Sequence, residues 1–136
     1  MNCRLARIKR KDENLMRDTK LTDAELRFAE IIWANAPLKS AELVRRCEIA
    51  LKWKKSTTYT MLKRLEEKGI FRNEGGSVMA VIGKEDFFSE QSKRFVAETF
   101  EGSLPKFVAA FTRSKKLSQT EIEELYRLIE GHKGDS

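Results

Sequence analysis

Gly69 separates a helical segment of the chain from an extended one. Before it, the apolar residues of positions 56–68 recur every three or four residues, which is the spacing of one face of an α-helix. After it, positions 70–73 and 78–82 are typical of two short strands, and Gly75 and Gly76 lie between them. Glycine supplies the positive φ that a tight hairpin turn requires. The sequence therefore predicts a helix followed directly by a β-hairpin.

Two more helices are predicted ahead of this one. Thr22-Asp23-Ala24-Glu25 is a capping box, so a helix should begin there and end before Pro37. Ser40 is the predicted N-cap of a second, shorter helix over residues 41–48. Helical spacing on the first helix predicts a buried face made of Leu21, Ala24, Phe28, Ile31 and Ile32, widened by Leu26, Ala29 and Trp33.

Three helices followed by a hairpin is the order of a winged helix-turn-helix domain, in which the third helix enters the major groove of DNA. The predicted fold class is therefore mainly α, with a winged helix followed by C-terminal helices. We divide the chain into a basic N-terminal arm (residues 1–19), a winged-helix DNA-binding domain (20–84) and a helical dimerisation region (85–136).

The third helix, predicted from Lys55 or Ser56 to Lys68, has two different faces. Thr58, Met61, Leu62 and Leu65 share one helical face and should point inward. The opposite face carries hydroxyl groups and cations, which bond phosphate oxygens and base edges, although threonine lowers helix propensity. These outward residues are Ser56, Thr57, Tyr59, Thr60, Lys63 and Arg64. The pattern predicts contact with DNA.

Positive charge is concentrated in the same part of the chain. The net charge is +6, and residues 45–72 alone contain nine basic and three acidic side chains. Such a segment attracts polyanions through counterion release, although a solvated helix face explains the charge alone equally well. The N-terminal arm is also basic, so it either reaches phosphates or a neighbouring groove, or is a solubilising tail; its cations include Arg4, Arg7, Lys9, Arg10 and Lys11.

The C-terminal region carries apolar stripes with little of their own chain to cover them. A segment of about 50 residues seldom builds an independent core, which favours dimerisation through these stripes. The alternative is that they pack back on the winged helix. The predicted dimerisation residues are Phe88, Phe95, Val96, Phe100, Leu104, Phe107, Val108, Phe111, Ile122, Leu125, Leu128 and Ile129, the last four on a helix that opens with a Ser118–Glu121 capping box.

The residue inventory argues against an enzyme. The one histidine, His132, lies in a polar tail, and no nucleophile or acid–base set can be assembled around it. Cys3 and Cys47 are far apart in sequence, so we expect reduced thiols and no metal site. We also expect no cofactor and no small-molecule substrate. No stretch resembles a secretory signal or a membrane span, so a cytoplasmic protein without direct membrane insertion is expected.

Two motifs of the chain resemble the penicillinase-repressor (BlaI/MecI/CopY) family of winged-helix regulators. They are Leu21-Thr22-x-Ala24-Glu25 with Ile31-Ile32-Trp33, and the run from Ser56 to Gly69, where Thr58 replaces a branched aliphatic residue. The resemblance extends from about residue 21 to 129. It implies a homodimeric repressor on a palindromic operator of double-stranded DNA. The DNA-binding residues expected on this basis and from their charge are Lys54, Lys55, Ser56, Thr57, Tyr59, Thr60, Lys63, Arg64 and Arg72.

The resemblance also suggests how repression is relieved. One branch of the family is cleaved by a membrane sensor protease at an Asn-Phe bond, and the matching junction here is Ala110-Phe111, with Ala in place of Asn. The copper-responsive branch has a C-terminal cysteine cluster, which is missing after Cys47. The hairpin has no basic residue between Arg72 and Ile82. A winged-helix module that binds protein rather than specific DNA is the alternative function.

Overall fold

The computed structural model describes residues 20–135, so the predicted basic arm lies outside the described residues. Within them the chain forms six α-helices and one three-stranded antiparallel sheet, which confirms the mainly α winged-helix fold class. The elements are α1 (Asp23–Asn35), β1 (Leu38–Lys39), α2 (Ser40–Leu51), α3 (Lys55–Glu67), β2 (Phe71–Glu74), β3 (Ser77–Ala80), α4 (Lys84–Thr99), α5 (Leu104–Ser114) and α6 (Gln119–Asp135).

The chain divides into two compact units between Ser92 and Lys93, inside α4 rather than at the predicted boundary after residue 84. We call residues 20–92 the winged-helix unit and residues 93–135 the C-terminal unit. The described helices include none that is both long enough and apolar enough to cross a membrane.

The winged-helix unit closes a core of its own between α1, α2, α3 and the sheet. The strand order is β1-β3-β2, and Leu38 pairs with Val78 while Arg72 pairs with Met79. The hairpin turns at Gly75 and Gly76, both with positive φ, as the sequence predicted. The fully buried side chains of this core include Phe28, Ile32, Leu43, Cys47, Leu62, Leu65, Ile70, Phe71 and Val78.

The ends of α1 and α3 follow their sequence signals. Thr22 caps α1, with reciprocal bonds of 3.1 Å from the Glu25 amide and 3.0 Å to the Glu25 carboxylate, so the predicted capping box is confirmed. Helix α3 ends before Gly69, whose φ of 79° is the left-handed conformation expected there. Ala24, which was predicted to face the core, is exposed, and its neighbour Glu25 is buried instead.

The prediction for the start of α2 is wrong. Ser40 is the first residue of the helix, and Lys39 is an N-cap without a side-chain hydrogen bond. The amide of Ser40 donates to the carbonyl of Gly76 in the hairpin turn, 2.8 Å away, because β1 places the start of α2 beside that turn. The helix is also longer than predicted and ends with Lys52 at a φ of 58°.

An aromatic group joins the start of α4 to the winged-helix core. The Trp33 ring lies 5.4 Å from the ring centroid of Phe87 and 6.0 Å from that of Phe88, and its indole N–H donates to the carbonyl of Ile82. Phe87 is buried and Phe88 is partly buried against the same core. The structure therefore places Phe88 with the winged-helix core, although it was predicted to belong to the apolar dimerisation stripe that includes Phe95.

The C-terminal unit has ordered helices but no buried core. Ser103 caps α5, and Ser118 with Glu121 forms the predicted capping box of α6. None of residues 93–134 is buried. The rings of Phe95, Phe100 and Phe107 contact one another with centroids 5.5 to 5.8 Å apart, yet this cluster remains open to solvent.

Candidate nucleic-acid interface

Helix α3 presents a polar, cationic face to solvent. Thr58, Met61, Leu62 and Leu65 are buried, as the helical spacing predicted. The six residues predicted to face outward are all exposed: Ser56, Thr57, Tyr59, Thr60, Lys63 and Arg64. Lys54, Lys55 and Arg72 are exposed as well. The structure thus brings hydroxyl and cationic groups together on one side of one helix.

The N-terminus of α3 carries lysines and lacks the acidic residues that would stabilise the helix. Lys54 is its N-cap without a side-chain hydrogen bond, Lys55 follows, and the first turn has no acidic residue. Cations at this end oppose the helix dipole, and the first amides of a helix have no partner within it. A phosphate group would accept from those amides and neutralise both lysines, so the arrangement favours a bound polyanion.

Ion pairs separate the basic residues of this region into two groups. Arg45 and Arg46 both bind Glu42, and Lys68 binds Glu25. The cations on and just before α3 have no carboxylate within ion-pairing distance among residues 20–135; they are Lys54, Lys55, Lys63 and Arg64. Uncompensated charge is therefore concentrated on the exposed side of α3.

Arg72 differs from the cations of α3. Its guanidinium lies 3.0 Å from the Glu74 carboxylate on the same strand, and it also donates to the sulfur of Met79. Both members of the pair are more than half exposed, so the pairing is weak and open to exchange. Arg72 consequently offers less free charge to DNA than the four cations of α3.

Tyr59 makes two contacts on the exposed face. Its hydroxyl donates to Oγ of Ser40 over 3.3 Å, and the Lys55 ammonium lies 6.0 Å from the centroid of its ring. Sequence reasoning treated Ser40 as a helix cap and missed this contact. The two residues are distant in sequence, and only the packing of α2 against α3 brings them together.

A partly buried ion pair supports α3 from inside. The Glu25 carboxylate, in a residue only 2% exposed, lies 3.1 Å from the Lys68 ammonium at the C-terminal end of α3. Burial acts to raise the pKa of Glu25, but hydrogen bonds from the Thr22 amide, from Lys68 and from the Thr22 hydroxyl outweigh it, and the pKa is lowered. The pair therefore ties the start of α1 to the end of α3.

The buried side of α3 has one polar group, the hydroxyl of Thr58. No nitrogen or oxygen of the described residues satisfies it, and its polar neighbour is the thiol of Cys47, which is free and buried. Burial raises the pKa of the Cys47 thiol, and the contact with Thr58 offsets part of that rise. A thiol is a weak hydrogen-bond partner, so this pair is a small defect in the core.

Comparison with known proteins assigns this architecture. The sequence profile described as the penicillinase repressor family matches residues 21–131. The chain belongs to the penicillinase repressor family. A penicillinase repressor of Bacillus licheniformis is 30% identical over 118 residues, covering 84% of this chain and 92% of that protein. The methicillin resistance regulatory protein MecI of Staphylococcus aureus (strain Mu50 / ATCC 700699) is 26% identical over 114 residues, covering 81% of this chain and 93% of its own length.

Membership of the penicillinase repressor family confirms the resemblance noted in the sequence. It places the exposed face of α3 in a family of DNA-binding regulators. The chain is a DNA-binding transcription regulator of a repressor family with a winged-helix fold. The family profile also covers α4, α5 and most of α6, so the C-terminal unit is part of the shared architecture.

In this repressor-family chain the remaining predicted dimerisation residues lie in the C-terminal unit and are at least partly exposed. Phe95 is 51% exposed, Leu104 61% and Leu128 64%. Val108, Phe111, Leu125 and Ile129 are exposed too, whereas Val96, Phe100, Phe107 and Ile122 are half-buried. The unit thus has an apolar surface that its own residues do not cover.

The predicted cleavage junction lies within α5. Ala110 and Phe111 are both exposed, and Phe111 contacts Phe107 while the Lys115 ammonium lies 5.9 Å from its ring. The carbonyl of Phe111 accepts the hydrogen bond of the helix C-cap, from the Lys115 amide. The side chains of the junction are accessible, but its backbone is helical.

Proposed function

We propose that the protein is a homodimeric, cytoplasmic transcriptional repressor whose two α3 helices bind successive major grooves of a palindromic operator. The observation that carries this proposal is the exposed face of α3, where hydroxyl groups stand beside four cations without acidic partners. Hydroxyl and cationic side chains supply both phosphate contacts and base contacts. The two curated relatives bear the names of a penicillinase repressor and a methicillin resistance regulatory protein, which supports a repressor role.

Dimerisation is the second part of the proposal. The exposed apolar side chains of α5 and α6 belong on an interface, because a second copy of the chain offers the same surface in return. Linking two half-site contacts makes the second one effectively intramolecular, which raises operator affinity without any new contact. A monomer would therefore bind the operator weakly.

Proteolytic relief of repression is the third part. A membrane sensor protease would act at Ala110-Phe111, whose side chains are exposed on α5. Cleavage there would separate α6 from the part of the chain that contains the winged-helix unit. The DNA-binding fragment would thus lose part of the proposed dimer surface. Incubating the full chain with membranes that contain such a protease, followed by mass spectrometry of the fragments, tests this part; an intact chain would contradict it.

Footprinting the protein on the DNA upstream of its own gene tests operator binding directly. Arg64→Ala should weaken operator affinity by about tenfold or more and reduce its salt dependence, because each half-site loses one cation. Thr57→Val should mainly reduce discrimination between operator and unrelated DNA. Lys116→Ala removes an exposed cation of the C-terminal unit and is the matched control, which should leave binding unchanged.

The same experiment separates DNA binding from the alternative, a winged-helix module that binds protein. Affinity for DNA should fall steeply as salt is added, whereas an apolar protein contact should change little. If Arg64→Ala and Thr57→Val both bind operator like the unchanged chain, α3 is not the recognition helix and the proposal fails.

A further inference from the structure

Ser40 lies where α2, α3 and the hairpin turn meet. Its hydroxyl accepts a hydrogen bond from Tyr59 of α3, and its amide donates to Gly76 of the turn. A Cβ atom placed on Gly76 would lie 3.9 Å from the Ser40 Oγ, so the turn and this hydroxyl are in close proximity. One small residue therefore contacts two elements that the winged-helix arrangement directs toward DNA.

The turn side of this junction is held by backbone hydrogen bonds. Leu38 and Lys39 of β1 pair with Val78 and Ser77 of β3, which fixes the backbone immediately before Ser40. The bond from the Ser40 amide to Gly76 is short at 2.8 Å, and the turn glycines hold φ values of 58° and 85°. The backbone of Ser40 is thus anchored by contacts that do not depend on its own side chain.

The Tyr59 side is less constrained. The ring is 37% exposed, and beyond its hydrogen bond to Ser40 it has the Lys55 ammonium near one face. A hydrogen bond of 3.3 Å at the surface adds little to folding stability. It does limit the orientations of the phenol, and a side chain ordered before binding loses less conformational entropy when it contacts a ligand.

We propose that Ser40 is a positioning residue for DNA recognition, whose hydroxyl orients the Tyr59 phenol while its amide binds the hairpin turn, so that α3 and the turn act as one surface. This inference rests on the proposed operator binding. Ser40 acts through Tyr59, so removing either hydroxyl should remove the same contribution. The effects of the two substitutions on operator affinity should therefore not multiply.

A double-mutant cycle on the full-length chain tests the inference. Ser40→Ala and Tyr59→Phe should each weaken operator binding by about threefold per half-site, hence about tenfold for a dimer, and the double variant should be no weaker than either single one. Ser40→Thr keeps the hydroxyl and should restore affinity to within about twofold of the unchanged chain. Ser89→Ala removes an exposed hydroxyl of α4, outside the proposed DNA-binding and dimer surfaces, and should leave binding unchanged.

Urea unfolding of the same variants separates positioning from folding. All five variants should unfold at nearly the same urea concentration, because the bond is exposed. Effects that multiply in the cycle, or a failure of Ser40→Thr to restore affinity, overturn the role of Ser40. If operator binding responds to Arg64→Ala but the cycle is multiplicative, this inference alone fails; if the unchanged chain does not bind DNA, the proposed function fails with it.

Discussion

The winged-helix unit buries its large apolar side chains, whereas the C-terminal unit leaves many of its own in contact with solvent. Phe28, Ile32 and Leu65 are fully buried in the first unit. In the second, phenylalanines pack edge to face with one another and still no residue of 93–134 is buried. Helices alone do not make a core; α1 to α3 have one because the sheet and the start of α4, with Phe87, pack against them. The C-terminal unit has three helical segments and no such cover.

The sharpest test of this comparison removes a phenylalanine from each unit. Phe28→Ala should lower the free energy of unfolding by about 3 to 5 kcal/mol, because it leaves a cavity among fully packed neighbours, one of which is the Trp53 ring 5.4 Å away. Urea unfolding followed by circular dichroism measures this loss.

Phe111→Ala is the matched variant in the C-terminal unit. At low protein concentration it should change unfolding much less than Phe28→Ala, because the ring is already 43% exposed. Equal losses for the two phenylalanines would show that the units do not differ in the way described.

A charge on the exposed apolar surface should act on assembly rather than on folding. Leu128→Asp should weaken dimerisation by about 3 kcal/mol, or more than 100-fold in Kd, because a leucine is lost from an apolar interface once in each subunit. Analytical ultracentrifugation over a range of concentrations measures the change.

Thr120→Asp adds the same charge at an exposed polar position of α6 and is the control for Leu128→Asp. It should leave the proposed dimer intact. If Leu128→Asp dimerises as well as the unchanged chain does, the exposed surface of α6 is not the interface.

The ion pair under α3 should make the winged-helix unit sensitive to acid. Because the folded pKa of Glu25 lies below its usual value of 4.5, the pair contributes stability that is fully present above that pH and is lost as pH falls through the folded pKa. Glu25→Gln should lower the free energy of unfolding by about 1.5 to 3 kcal/mol at pH 7, where a bond to a charged group is lost. The difference in the free energy of unfolding between Glu25→Gln and the unchanged chain should become smaller below pH 4.5, as measured by urea unfolding at several pH values.

The smallest expected effect is an increase in folding stability. Thr58→Val nearly conserves volume and removes a buried hydroxyl whose polar neighbour is a thiol, so it should raise the free energy of unfolding by about 1 kcal/mol. Operator affinity should not change, since Thr58 is on the inner face of α3. A loss of stability, measured by thermal unfolding, would mean that the contact with Cys47 is a useful hydrogen bond.

The sequence was most informative where a signal is local. The capping box at Thr22, the end of α3 at Gly69 and the two faces of α3 follow from spacing within one helix, and all three are confirmed. Predictions failed where residues far apart in sequence decide the outcome. Ser40 was predicted to be an N-cap from its neighbours in sequence. Its hydrogen bonds with Gly76 and Tyr59 depend on tertiary packing, which that local pattern does not contain.

Glu25 and Phe88 illustrate the same limit. A glutamate in a capping box is usually a surface residue, and the ion pair with Lys68 joins the hydrogen bond from the Thr22 amide in making its burial tolerable. Phe88 fits a helical stripe shared with Phe95, yet Trp33 draws it into the winged-helix core. Periodicity assigns a residue to a face of its helix, but it does not say which neighbour that face meets.

The helical backbone at Ala110-Phe111 has a consequence for the proposed proteolytic relief of repression. Proteases cut chain that is extended in their cleft, so hydrolysis of this bond requires the last turns of α5 to unwind first. Pairing with a second subunit would oppose that unwinding. A repressor bound as a dimer would then be cleaved more slowly than a free subunit. The rate of cleavage after a signal would depend on how often the two subunits dissociate.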